Sequence, residues 1–99
     1  MTPEGRVKAQ IKKVLDDIGA YYFMPVSNGM GRAGIPDVIG CLKGIFFGIE
    51  AKAGKGKTTA LQERELAKIH NAGGIDLIVN EENVGNLKAI LEEELKRRR

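Results

Sequence analysis

The chain has 99 residues, enough for one compact domain spanning 1–99, and its 16 Lys and Arg against 13 Asp and Glu leave a formal charge of +3. That mild excess of basic groups suits a nucleic-acid partner without requiring one. A single cysteine, Cys41, excludes an internal disulfide framework and points to a reducing compartment, and with His70 as the sole histidine one copy cannot build a Cys/His zinc site. No apolar run reaches the roughly 18–20 residues of a membrane span and the start lacks a signal-peptide core, so the expected setting is cytoplasmic, with no membrane partner.

"TPEGRVKAQIKKVLDDIG" opens the chain with the grammar of a helix. Thr2 suits the cap, Pro3 the first helical position and Gly19 the stop, with Val7, Ile11, Val14, Leu15 and Ile18 on one apolar stripe. "AYYFMPV" (20–26) reads as a strand and "SNGMGRAG" (27–34) as a flexible loop carrying Arg32. Residues 35–42 and 45–52 read as a hairpin about Lys43-Gly44, apolar on both faces, so helices are expected over both. "AGKGK" (53–57) is a basic glycine loop holding Lys55 and Lys57. Helix 58–74 starts on threonines and stops on a double glycine; strand 75–80 and helix 81–96 follow, then a solvated arginine tail. The helix between strands 45–52 and 75–80 implies a parallel pair. The expected fold is α/β, a small mixed sheet flanked by helices in the order α-β-β-β-α-β-α. Tyr21, Tyr22, Phe23, Phe46, Phe47 and Cys41 are expected in the core, and His70 on a helix surface.

Two motifs mislead. "GMGRAG" (29–34) fits G-x-G-x-x-G but precedes a strand rather than a helix, and "GKT" (56–58) lacks the glycine that a phosphate-binding loop needs at position 51, which is Ala51. No nucleotide cofactor is expected.

The chemistry concentrates in the hairpin. With Lys43-Gly44 as a two-residue turn, Leu42 opposes Ile45 and Asp37 opposes Glu50, while Lys52 shares a face with Glu50. Opposed carboxylates repel, more so when partly buried. Three remedies exist: one acid stays protonated, Lys52 neutralises one of them, or a divalent cation sits between them. Oxygen ligands on a rigid frame suit magnesium, and a metal with a lysine beside it suits hydrolysis of a phosphate ester. Taken singly, each residue also has a plain structural reading: Asp37 as a turn acid, Glu50 and Lys52 as a solvent-face pair.

Pro36-Asp37 followed by Glu50-Ala51-Lys52 resembles the PD-(D/E)xK nuclease signature. "GIPDVIG", "IEAKAGKGKTTALQ" and the later "GG" are similar to the VRR-NUC family, over about Met1 to Val79. The resemblance implies a restriction-endonuclease-like core and an Mg²⁺- or Mn²⁺-dependent endonuclease acting on DNA. It gives Asp37, Glu50 and the Ala51 carbonyl as metal ligands and Lys52 as support for the nucleophile. It further implies a homodimer that works on four-way junctions, as do the family's stand-alone phage and bacterial members, and hence a bacterial or phage-infected cell. Two more positions match it. Glu4, on the inward stripe of the first helix, is either a metal-site acid or a stabiliser of the helix dipole. Gln62 is either a residue reaching the catalytic site or the partner of Thr59 in a capping box. Arg32, Lys55 and Lys57 are expected to follow a DNA backbone, or else to be solvated loop residues. The rival from another class is a non-catalytic nucleic-acid-binding module that keeps this fold.

Overall fold

A computed structural model describes residues 1–26 and 31–98; residues 27–30 of the expected glycine loop and Arg99 lie outside the described residues. The elements are α1 (Pro3–Asp17), β1 (Tyr21–Phe23), β2 (Val38–Leu42), β3 (Ile45–Ala51), α2 (Ala60–Asn71), β4 (Ile75–Val79), a 3₁₀ turn (Val84–Asn86) and α3 (Leu87–Arg97). They form one four-stranded sheet in the order β1-β2-β3-β4. The first two pairings are antiparallel, and β3 runs parallel to β4 across the α2 crossover. The α/β fold class and element order are those expected from the sequence.

The hairpin turn sets the register of the sheet. Lys43 and Gly44 both adopt positive φ, 53° and 84°, as the tight turn whose twist matches the flanking strands demands. Leu42 consequently pairs with Ile45, Gly40 with Phe47 and Val38 with Ile49. One sheet face packs on Val7, Ile11 and Leu15 of α1 and on Leu87 and Leu91 of α3; Val38, Leu42, Phe47, Ile49, Ala51, Ile75 and Val79 complete that core. α1 begins where Thr2 Oγ1 accepts the Gly5 N–H at 3.0 Å, satisfying one of the helix's orphan donors.

The opposite face is only half covered. α2 packs over β4 and β3 and leaves the β1–β2 side open. Tyr21 pairs with Cys41, which pairs with Phe46, and all three are exposed, Tyr21 by 76%. Phe23 is exposed as well. The core placement expected for Tyr21, Phe23, Phe46 and Cys41 is therefore corrected: one helix cannot span four strands. Phe47 is buried and Tyr22 half-buried, the latter giving its hydroxyl to Asp16 at 2.7 Å.

Element boundaries also move: the strand expected over 35–42 starts at Val38 and the helix expected over 58–74 spans Ala60–Asn71. The strand expected over 20–26 pairs only at 21–23. The last helix begins at Leu87 rather than 81, because Asn80 Oδ1 accepts the N–H groups of Glu82 and Asn83. Such side-chain turns offer the backbone an alternative to the helix. The tail is not merely solvated, since Arg98 donates to the carbonyls of Gly73 and Gly74. Among the described residues no helix is long and apolar enough to cross a membrane.

Gly40 sits where β1 presses closest on the sheet: a Cβ there would lie 2.3 Å from the Tyr21 carbonyl oxygen and 2.6 Å from Phe47 Cζ. Gly40→Ala is expected to destabilise the fold by roughly 1–3 kcal/mol through overpacking, read as a lower midpoint in urea with an unchanged slope.

Candidate metal centre at the open end of the hairpin

With this turn, Leu42/Ile45, Gly40/Phe47 and Val38/Ile49 are the pairs that exchange backbone hydrogen bonds. The next such pair would be Pro36 with Ala51, but β2 starts only at Val38. Asp37 fills the gap with its side chain, Oδ2 accepting the Ala51 N–H at 2.8 Å. The carboxylate therefore leans along the edge of β3 instead of standing off the sheet beside Glu50. On its other side β3 is held to β4, with Ala51 paired to Val79 and the Lys52 N–H given to the Val79 carbonyl at 2.9 Å. A residue's N–H and C=O leave a strand on the same side. The Ala51 carbonyl thus shares the edge that carries Asp37.

Glu50 follows one step before Ala51 and is 2% exposed. Its carboxyl is close enough to that of Asp37 for the two to titrate as a pair. Burial first, then the neighbouring Asp37 carboxylate, with a smaller push from Glu4, raise the Glu50 pKa to about 8 against the pull of Lys52. Burial also works against ionised Asp37, but the Glu50 carboxyl, the Ala51 N–H and the Lys8 ammonium together hold its carboxyl below the usual range. The two acids therefore resist ionising together, Glu50 being the one whose proton is held more firmly. Of the three remedies for opposed acids, the metal-free chain uses the first, with Lys52 as a partial second. One need remains: Glu50 Oε2 is buried with no hydrogen-bond partner. A buried, unpartnered carboxyl oxygen beside a second carboxylate fits a hard cation.

The other expected site residues fall into place as follows. Glu4 lies near enough to raise the Glu50 pKa. Among the described residues, however, no three acidic, histidine or cysteine side chains close into a metal-holding group. In this conformation Glu4 is a charge neighbour in the first turn of α1. Gln62 completes the capping box: its N–H donates to Thr59 Oγ1 at 3.2 Å and its Oε1 accepts the Thr59 N–H at 2.9 Å. Its amide oxygen is committed to the helix start. Arg32 meets Glu65 Oε1 at 2.8 Å, and that glutamate is 2% exposed, so the pair ties the loop before Asp37 onto α2. Lys55 and Lys57 are exposed in a loop that Glu81 steadies by accepting the Gly54 N–H at 2.9 Å. His70 is exposed on α2, as expected, and meets Asp76.

Two charged residues at or near this end escape a motif-based reading. Lys8 stands 3.5 Å from Asp37 Oδ1, and Glu65 gathers Arg32, Arg64 and Lys68 around one buried acid. The signal for Lys8 was its place one turn after Glu4, on the same side of α1. Glu65 precedes Leu66 by one position and gives no sign of burial in the sequence.

No protein-family model matches the chain, and no curated protein matches it. Solved structures do. One described as a VRR_NUC domain superposes with a TM-score of 0.70 at 24% identity, over 88% of this chain and 95% of that one. A second, a VRR_NUC domain protein, gives a TM-score of 0.67 at 16% identity, over 97% and 89% of the two chains. By the path of its backbone the chain has the fold of these VRR_NUC domain structures.

Proposed function

We propose that the chain is a metal-dependent endonuclease that hydrolyses phosphodiester bonds in DNA, with branched DNA such as a four-way junction as its substrate. The observation that carries the reading is the buried, unpartnered Glu50 Oε2 beside Asp37. Asp37, Glu50 and the Ala51 carbonyl would hold Mg²⁺ or Mn²⁺. When bound, the ion supplies positive charge for the phosphate oxygens and acidifies a water.

The chain's own groups do the rest. Asp37 keeps its charge because the Ala51 N–H and Lys8 support it, so one ligand is ionised before any cation arrives. Glu50 must release its proton when the cation binds. Lys52 follows Glu50 on the same face and is half-buried. Its ammonium is fitted to orient the attacking water and offset charge growing on phosphorus-bound oxygens. Lys55 and Lys57 are available to a DNA backbone; Arg32 reaches one only by loosening its hold on Glu65. A junction offers two strands to cut, and two copies about a two-fold axis would meet that need.

Two outcomes follow. Asp37→Asn, Glu50→Gln and Lys52→Ala are each expected to lower Mg²⁺- or Mn²⁺-dependent cutting of a labelled four-way junction by at least roughly 100-fold, with a linear duplex run alongside for substrate preference. Binding without cutting under every metal would support the non-catalytic module instead. The second outcome concerns stability without metal. A folded pKa of about 8 for Glu50 against an ordinary 4.5 means that the folded state holds the extra proton between those values. The stabilisation is full below the lower value and is lost as pH rises through the upper one, by at most about 1.4 kcal/mol per pH unit. Metal-free protein should therefore melt at falling temperature from about pH 5 to about pH 8, and Glu50→Gln should flatten that fall.

A further inference from the structure

The Asp37 carboxylate is engaged from three directions. Oδ2 takes the Ala51 N–H at 2.8 Å, Oδ1 stands 3.5 Å from Lys8 Nζ, and the buried Glu50 carboxyl is its neighbour on β3. Among the ion pairs of the described residues, Lys8–Asp37 is the one that reaches this pair of acids. It is no ordinary surface contact, because the two side chains are only 33% and 23% exposed. The Lys8 backbone is fixed: its neighbour Val7 and, one turn on, Ile11 are both buried in the core. The four-carbon stem is not fixed, and lysine's compact charge on a flexible stem is the cation best able to change partners.

A divalent cation held by Asp37 and Glu50 would bring its charge to the carboxylate that Lys8 now neutralises. Like charges at such separations repel even in water. The ammonium must then leave, and the reaction read above carries the nearest alternative partner, a phosphodiester, to the same end of the hairpin. Resting on that metal-site reading, we propose that Lys8 is an exchangeable counter-ion. It neutralises Asp37 until a divalent cation takes its place, and it then gives its ammonium to a phosphate of the DNA strand. Metal loading thereby adds a phosphate contact to DNA binding, so that the protein holds DNA most firmly when it is able to cut. Lys8 is a binding residue in this account, and a static structural pair would couple neither event to the other.

The test compares wild type, Lys8→Gln and Lys8→Arg. Glutamine and arginine have helix propensities close to lysine's, so all three are expected to fold, which circular dichroism checks. Mn²⁺ is titrated by calorimetry without DNA. Binding to a labelled four-way junction is then measured across a range of salt, once in Ca²⁺ and once in EDTA. Lys8→Gln should bind Mn²⁺ roughly 3- to 10-fold more tightly, since a competing positive charge is gone. In Ca²⁺ its logarithmic salt slope should be smaller than wild type by about one, while in EDTA the two slopes coincide. Lys8→Arg should keep the wild-type slope in Ca²⁺. Unchanged or weaker Mn²⁺ binding by Lys8→Gln, an unchanged slope in Ca²⁺, or an equal loss of slope in EDTA overturns the proposal. Wild type that binds no Mn²⁺ overturns the metal-site reading and this proposal with it, so the two failures are told apart by the wild-type titration alone.

Discussion

Everything at the candidate metal centre depends on a hairpin that stops too soon. The Lys43-Gly44 turn dictates which residues face one another, and β2 begins at Val38, one step short of bringing Asp37 into the ladder. Ala51 is left with an N–H that β2 cannot take, and the Asp37 side chain takes it. That single hydrogen bond brings a carboxylate to the edge of β3 next to the one buried acid on the strand. Had β2 continued through Pro36, the Ala51 N–H would belong to the ladder, and Asp37 would stand off the sheet with water at hand.

The surrounding fold makes this arrangement costly in the absence of a cation. β3 is one of the two inner strands, paired on both sides and buried from Phe47 to Ala51. Burying an acid there is costly unless it is neutral or paired. The protein answers with a proton on Glu50, a lysine from α1 on Asp37, and a second lysine two residues along β3. None of these satisfies Glu50 Oε2. An unfilled need of this kind is common at functional sites, where stability is given up for chemistry. Gly40 and the turn hold the register that brings the two acids together.

Much of this was legible in the residues themselves. The hairpin register follows from a turn whose two positions accept positive φ, and the capping boundaries of α1 and α2 follow from Thr2-Pro3 and Thr59-x-x-Gln62. Local grammar failed where tertiary packing decides. The strands look apolar on both faces, yet the β1–β2 half of one face stays uncovered because a single helix lies there, which leaves Tyr21, Phe23, Cys41 and Phe46 in the open. The late start of α3 is written in Asn80 and Asn83, but side-chain turns compete with helix by a margin that sequence pattern does not reveal. Gln62 belongs to a capping pattern and a family motif at once, and its amide oxygen went to the cap. Lys8 meets Asp37 across 29 residues of chain, a contact that exists only once α1 has docked.

Crystals grown with Mn²⁺ and examined at a wavelength that excites manganese test the central claim most directly. The account predicts an anomalous peak between Asp37 and Glu50, within about 2.0–2.2 Å of a carboxylate oxygen of each and of the Ala51 carbonyl. A fully soaked crystal with no peak there, and with Asp37 still on the Ala51 N–H and Lys8, would contradict it.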